Sequence, residues 1–214
     1  MELMKFPHHA IFIEQPEYTL QNHLLFELST KDNCKVYMQH PIYHSSSDEV
    51  KKIVFVQDTK FLAMWKNAPY LQDIHLSSGS EREWRNDNKF HHAERAFRIG
   101  RTNPVPLADV SCTEYIKSTP IYEKSFLWFK KLVGYSEEQV TWCSFINGIT
   151  RTIWLLANGV KQFPVYVYNE KNAILLAKHA GISPSSFYDL TELNLELENL
   201  LQEKNLYKPL FWQD

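Results

Sequence analysis

The sequence predicts a mixed α/β (α+β) fold with a β-rich N-terminal part and helices toward its C-terminal end. Three observations support this. Residues 141–167 follow a strand–turn–helix–turn–strand pattern, residues before 57 form short apolar runs separated by turn signals, and residues after Asn169 show helical periodicity. At 214 residues, with 44% hydrophobic side chains, the chain is long enough for one large domain.

The N-terminal part is predicted to consist mainly of strands. Apolar runs occupy residues 9–13, 24–28, 34–38 and 52–56. A helix is expected from Asp58 to about Pro69, because Phe61, Leu62 and Trp65 follow at helical spacing. Residues 77–83 have the composition of a linker. We therefore predict an N-terminal extension or wing over 1–76 and a core over 84–214, with one continuous domain as the alternative.

Positive charge is concentrated between residues 85 and 101 in a chain of net charge −2. A local DNA-binding patch is therefore predicted, with the contacts Arg85, Lys89, Arg95 and Arg98. Trp84, Phe90 and Phe97 lie among these charges, where they would stack on bases. The alternative is a solvated helix face whose aromatic side chains pack inward.

Two further segments follow before the central unit. The proline-rich stretch 98–110 offers the polar residues Gly100, Arg101, Thr102 and Asn103, either for a binding site or for a structural turn. A helix is predicted over 119–133, ended by Gly134, from the spacing of its apolar residues.

The central unit carries the strongest local signals. The β-prone run 141–146 ends at the turn pair Asn147–Gly148, and a helix begins at Ile149. Asn158–Gly159 stops that helix before the strand 165–168. Helices are then expected over 170–180, from Ser183–Pro184, and over 191–204.

The turn at Gly148 suits a phosphate. A glycine lets backbone N–H groups approach a ligand, and Asn147, Thr150 and Arg151 flank it at a predicted helix N-terminus. The alternative is an ordinary turn glycine beside a surface arginine.

Other classes of site have little support in the sequence. The three cysteines are far apart, and the paired histidines have no partner cluster, so no metal site is predicted. No apolar run is long enough for membrane insertion, and no secretion signal is visible, so a cytoplasmic protein is expected.

Three motifs in the chain resemble those of a known family. Residues 141–167, with Gly148-x-Thr150-Arg151 at their centre, resemble the Gly-x-x-Arg box of the ParB/sulfiredoxin superfamily. With F-L-x-x-W at 61–65, G-R-T-N-P-V-P-L-A at 100–108 and F-I-N-G-I-T-R-T-I-W-L-L-A-N-G at 145–159, the chain looks like the plasmid fertility inhibition factors.

The resemblance implies a ParB/sulfiredoxin-like core and a role in blocking conjugative or T-DNA transfer through a type IV secretion system. It implies a secretion coupling protein as partner, ATP or another nucleotide with Mg²⁺ as ligands, and ATPase or nuclease activity. The residues implied to hold phosphate are Asn147, Gly148, Thr150 and Arg151, with Gly100, Arg101, Thr102 and Asn103 across the pocket.

Two departures limit what the resemblance carries. Ile149 stands where sulfiredoxins have a nucleophilic cysteine, so reductase chemistry is not expected. No general base can be chosen among Asp109, Glu94 and Glu170. A non-catalytic protein that inhibits a coupling ATPase, and a nucleotide-dependent kinase, therefore remain alternatives.

Overall fold

The computed structural model describes residues 2–6, 9–14, 23–41, 51–69, 74–124, 130–183, 187–190 and 199. These residues form two five-stranded sheets with helices packed against them. The predicted mixed α/β fold is confirmed. One continuous cluster of buried apolar side chains includes residues from both sheets.

The first sheet is built mainly by the N-terminal strands. Its strands are β1 (Glu2–Phe6), β2 (His9–Glu14), β3 (His23–Ser29), β4 (Lys35–Pro41) and the short β6 (Val105–Pro106). They lie in the order β1-β2-β3-β4-β6, antiparallel except that β6 runs parallel to β4. The pairing of β6 with β4 brings the chain just before residue 108 against the N-terminal sheet.

The second sheet has the order β10-β5-β9-β7-β8. Its strands are β5 (Lys52–Gln57), β7 (Ala108–Lys124), β8 (Lys130–Asn147), β9 (Gln162–Val167) and β10 (Phe187–Asp189). β9 is antiparallel to β5 and parallel to β7. Both sheets thus draw strands from both sides of residue 76, and the division into 1–76 and 84–214 stays a prediction.

Six helices complete the described part of the fold. They are α1 (Asp58–Lys66), α2 (Ile74–Ser77), α3 (Glu81–Arg85), α4 (Phe90–Ile99), α5 (Ile149–Ala157) and α6 (Glu170–Ala180), with a 3₁₀ turn at Gly100–Thr102. In the part of the chain that the structure describes, no helix is long and apolar enough to cross a membrane.

The central unit was predicted correctly. β8 ends at Asn147, Gly148 has a φ of 100°, and α5 begins at the next residue. Gly159, with a φ of 67°, follows the end of α5 and precedes β9. The left-handed φ angles explain why glycine occupies both turns.

The stretch 77–83 is not a linker. α2 ends at Ser77 and α3 starts at Glu81. The Glu83 carboxylate accepts a hydrogen bond from the Ser80 backbone N–H at 2.7 Å, which caps the start of α3. Turn-forming residues here serve a helix N-terminus rather than a flexible connection.

The helix predicted over 119–133 is wrong. Within the described residues, this region belongs to β7 and β8, with Thr119 paired to Ser136 and Pro120 to Tyr135; residues 125–129 lie outside them. Pro120 is tolerated because, among the described strands, β7 pairs with β9 only through residues 108–110, which leaves that side of β7 without a paired strand at Pro120.

The C-terminal helices are confirmed in part. α6 matches the predicted helix 170–180, and the Asn169 side chain accepts a hydrogen bond from the Asn172 N–H at 2.9 Å. The short helix predicted from Ser183–Pro184 is wrong where the structure describes it, because Phe187–Asp189 pair with β5 as strand β10. The helix predicted over 191–204 falls almost wholly outside the described residues.

Candidate functional site

A polar cavity of about 340 Å³ lies where β4, the start of β7 and the N-terminus of α5 meet. We call it the Arg151 cavity. Its polar lining side chains are Gln39, His40, Lys51, Asp109, Asn147, Arg151 and Tyr166. Separate parts of the sequence therefore supply one site.

Strand register brings the central polar groups together. Asp109 pairs with Asn147 across β7 and β8, and with Tyr166 across β7 and β9. The Tyr166 hydroxyl donates a hydrogen bond of 2.8 Å to Asp109 Oδ2. The carboxylate is thereby held at the edge of the cavity with its other oxygen unused by Tyr166.

The N-terminal sheet supplies the opposite wall. Gln39 pairs with Pro106 in the parallel β4–β6 ladder, and the Leu107 N–H donates to the Gln39 carbonyl at 3.0 Å. His40, the next residue on β4, has its ring 5.5 Å from that of Tyr166. The short strand β6 thus places a histidine beside Asp109.

Arg151 reaches the cavity by folding back over Gly148. A Cβ atom built on Gly148 would lie 2.5 Å from Arg151 Nε and 2.8 Å from the Cα of Ala108. Only glycine leaves room for this close approach, and its φ of 100° suits glycine as well. The Gly-x-x-Arg spacing therefore has a steric reason.

Three buried polar atoms of this cavity lack a hydrogen-bond partner among the described residues. They are His40 Nε2, Asp109 Oδ1 and Arg151 Nε. His40 is only 6% exposed to solvent, and Asp109 only 5%. Each buried unsatisfied polar atom costs about 1–3 kcal/mol, and three residues that carry such an atom line this one cavity.

Burial also shifts the acid–base properties of the lining. Burial, with the nearby positive charge of Lys51, lowers the pKa of His40 to about 4. Burial raises the pKa of Asp109 against the opposing effects of Tyr166 and Arg151. Burial likewise lowers the pKa of Arg151 and raises that of Tyr166. His40 is therefore neutral at physiological pH and a weaker base than a free imidazole.

The predicted phosphate residues do not all meet at this cavity. Asn147 and Arg151 line it, whereas Thr150 lines a larger cavity of about 650 Å³ together with Lys89. Consecutive helical residues point in different directions, which separates Thr150 from Arg151. Among the described residues, none of the unpartnered buried atoms lines the larger cavity. The smaller cavity is therefore the candidate site.

The segment 100–103 lies beside the cavity rather than in its lining. Gly100, Arg101 and Thr102 form the 3₁₀ turn, and Asn103 follows it. The Arg101 guanidinium lies over the Tyr37 ring, 5.9 Å from its centre. Pro106 and Leu107, a few residues further on, line the cavity instead.

The aromatic residues of the basic segment are not available for base stacking. Trp84, Phe90 and Phe97 are all buried, and the Phe97 ring stacks on Trp154 at 4.1 Å. The expectation of interleaved aromatic contacts with bases was wrong, because α3 and α4 pack their aromatic faces onto the core.

The basic side chains of this segment are exposed and have local partners. Arg98 forms an ion pair of 3.1 Å with Glu94, and Arg95 contacts His92 Nδ1 at 2.8 Å. Lys89 lies at the larger cavity. The predicted DNA contacts are thus exposed but spread out, because Arg85 reaches the C-terminal end of α5 whereas Lys89 lines the larger cavity with Ile149 and Thr150 at the start of that helix.

Arg85 has a structural role that the sequence did not reveal. Its guanidinium donates to the Ala157 carbonyl at 3.1 Å and to Asn158 Oδ1 at 3.3 Å, at the C-terminal end of α5. Arg85→Ala is therefore expected to lower the free energy of unfolding by about 1 kcal/mol. This is less than a buried charged hydrogen bond contributes, because the Arg85 side chain is partly exposed to solvent. Arg95→Ala is the matched control, with a change within about 0.5 kcal/mol. Equal midpoints of urea unfolding for the two variants would contradict this role.

Of the three carboxylates named as candidate general bases, Asp109 lines the Arg151 cavity, whereas Glu94 and Glu170 do not. Sequence reasoning missed Gln39, His40, Lys51 and Tyr166. No local pattern marks them, because their positions depend on the β4–β6 and β7–β9 pairings.

The fold and the sequence both match known proteins. The family model for the plasmid fertility inhibition factor matches residues 53–181. Protein osa of Shigella flexneri is 32% identical over 97 residues, a match that covers 45% of this chain and 40% of that relative.

A solved structure shares the fold. The crystal structure titled Oncogenic Suppression Activity Protein, a plasmid fertility inhibition factor, as its gold(I) cyanide derivative, superposes with a TM-score of 0.63. The match covers 89% of this chain and 84% of that one at 23% identity. Because the matched family region takes in α1, β7, β8, the Gly148 turn and α5, the chain belongs to the plasmid fertility inhibition factor family.

Proposed function

We propose that this protein inhibits conjugative or T-DNA transfer through a type IV secretion system, and that the Arg151 cavity binds a phosphate group of a nucleotide or of DNA during that inhibition. Family membership supports the first part. The convergence of His40 Nε2, Asp109 Oδ1 and Arg151 Nε on one cavity supports the second.

The charges of the lining favour an anion. Arg151 and Lys51 carry positive charge at the cavity, against the carboxylate of Asp109. A guanidinium that is partly desolvated binds phosphate more strongly than an exposed one. The volume of about 340 Å³ is at the lower end of small-molecule sites, which suits one nucleotide rather than a duplex.

The lining also fits a single Mg²⁺ ion bound together with phosphate. Asp109 Oδ1 is an unpartnered carboxylate oxygen among the described residues, and Mg²⁺ in such sites commonly takes one or two carboxylates with the rest of its ligands from phosphate and water. Bound Mg²⁺ would neutralise phosphate charge. Across the described residues, no cluster of three His, Cys, Asp or Glu side chains offers a site for a metal without such a ligand.

Hydrolysis of a phosphoanhydride or phosphodiester follows as the proposed activity. Neutral His40, whose Nε2 has no partner among the described residues, would orient the attacking water by a hydrogen bond. Arg151 would stabilise the charge that develops on the phosphate oxygens. Exposed basic residues of α4, such as Arg95, would steer DNA, and a secretion coupling protein would be the partner.

A mating assay tests the proposal. Donor cells that carry a second conjugative plasmid would express the wild-type chain, Arg151→Ala or the control Lys178→Ala, at an exposed lysine of α6, at equal levels. We expect the wild type and Lys178→Ala to suppress plasmid transfer, and Arg151→Ala to restore most of it. Full suppression by Arg151→Ala would contradict a role for the cavity and favour the alternative in which the protein inhibits a coupling ATPase by contact alone.

A further inference from the structure

β7 and β8 extend beyond the second sheet as a two-stranded ribbon, which we define as residues 113–124 and 130–142. Among the described strands, β7 pairs with β9 only through residues 108–110, whereas its pairing with β8 continues to Lys124 and Lys130. At about 3.3 Å per residue, the ribbon from Glu114 to Lys124 is roughly 33 Å long. It is independent of the Arg151 cavity.

The ribbon exposes an unusual share of apolar surface. Six of the eleven exposed large apolar side chains in the described residues belong to it: Ile116, Ile121, Tyr122, Leu132, Val133 and Tyr135. A two-stranded ribbon is marginally stable in water without a third strand or a packed face. These side chains therefore need a cover.

The outer edge of β8 is open to a further strand. β8 is the last strand of its sheet, and within the described ranges it pairs with β7 alone. Its outward backbone N–H and C=O groups thus form a template for strand addition, with one irregularity at Val133, where the β7–β8 register skips a residue.

The charge pattern of β8 identifies the strand that fits this edge. Residues 130–138 read Lys-Lys-Leu-Val-Gly-Tyr-Ser-Glu-Glu, with a lysine pair and a glutamate pair at equal distances from Gly134. If two copies of this strand pair antiparallel about Gly134, Lys130 faces Glu138 and Lys131 faces Glu137 at both ends. Opposite charges across an antiparallel pair stabilise it, and like charges oppose it. A parallel pairing would place like charges together.

We propose that two copies of this chain dimerise by antiparallel pairing of their β8 strands, with the two-fold axis at Gly134. The two ribbons then form a continuous four-stranded sheet. Val133 of one copy faces Tyr135 of the other, which covers part of the exposed apolar surface. A Cβ at Gly134 would meet no described atom within 4 Å, so the backbone is open to close approach at the axis.

Charge exchange tests this pairing specifically. One variant carries Lys130→Glu and Lys131→Glu, and the other carries Glu137→Lys and Glu138→Lys. Sedimentation velocity over about a hundredfold range of concentration should show dimers for the wild type and monomers for each variant alone. An equimolar mixture of the two variants should restore dimers, because every facing pair is again of opposite charge. Each variant also creates a like-charge pair with its own β7, so unchanged urea unfolding is checked first.

A cross-link tests the register. In a Cys34→Ser background, Gly134→Cys should form an intermolecular disulfide on mild oxidation, because facing Cα atoms in antiparallel pairs lie about 4.5–5.5 Å apart. Ser118→Cys, exposed on β7, is the control and should cross-link far less. A wild-type chain that stays monomeric, or variants whose mixture stays monomeric, would overturn the proposal and leave this edge to a different protein.

Discussion

Gly148→Ala is expected to lower the free energy of unfolding by about 4 kcal/mol. Two costs combine. The backbone φ of 100° strains any residue with a side chain, and the new methyl group would lie 2.5 Å from Arg151 Nε and 2.8 Å from Ala108. Urea unfolding measures this loss of stability, provided that the slope of unfolding free energy against urea concentration is the same in both proteins.

Gly100→Ala separates these two costs. Gly100 also has a positive φ, of 72°, but a Cβ there would meet no described atom within 4 Å. Its replacement should therefore cost only the backbone strain, about 2 kcal/mol. If the two variants lost equal stability, the close approach of Arg151 and Ala108 to Gly148 would be wrong, and with it the placement of the guanidinium.

Protonation of His40 is expected to remove about 3 kcal/mol of stability as the pH falls from about 6.5 to about 4. The folded chain lowers the pKa of His40 from 6.5 to about 4, by burial and the charges nearby. Between these values the unfolded state binds more protons than the folded state, so the free energy of unfolding falls as the pH falls. Above about pH 6.5 the imidazole is neutral in both states and the penalty is absent.

The measurement compares wild type with His40→Gln. The difference in unfolding free energy between the two proteins should change by about 3 kcal/mol between pH 7 and about pH 4. The raised pKa of Asp109 acts in the opposite direction, but to a first approximation it is present in both proteins and cancels. His75→Gln, at an exposed histidine, is the control and should follow the wild type. A His40→Gln profile parallel to that of the wild type would mean that His40 is not buried in its neutral form.

Local signals in the sequence were enough for the central unit. The pair Asn147–Gly148, the apolar spacing that starts at Ile149 and the stop at Gly159 each act within a few residues, so no tertiary information is needed. The same locality pointed to Arg151 and Asn147, which line the Arg151 cavity. The steric reason for Gly148, by contrast, depends on Ala108, which is distant in sequence.

The ribbon shows where such signals fail. The apolar residues from Tyr122 to Val133 are spaced as on one face of a helix, and Pro120 suits the first turn of a helix. Short apolar runs rich in aromatic and β-branched residues are equally compatible with strands. The pairing of β7 with β8 decided the outcome, and β7 leaves β9 early enough for Pro120 to lie at an edge with no described strand beside it.

Most of the cavity could not be predicted for a related reason. His40 and Tyr166 are separated from Asp109 by long stretches of chain, and parallel strand pairs place them beside it. Parallel pairing leaves no turn signal in the sequence. The segment 100–103 shows the opposite case. It lies close to Asp109 in the sequence, yet the cavity is lined by Pro106 and Leu107 and not by residues 100–103.

Calorimetric titration of ATP with Mg²⁺ tests the proposed phosphate site most directly. Wild type and Arg98→Ala should bind with equal affinity, whereas Arg151→Ala should bind at least about tenfold more weakly, with its fold intact by circular dichroism. Inorganic phosphate and a short DNA duplex, titrated in the same way, would identify which phosphate source is preferred. If the wild type bound none of the three, or if Arg151→Ala bound ATP as well as the wild type does, the Arg151 cavity would not be a phosphate site.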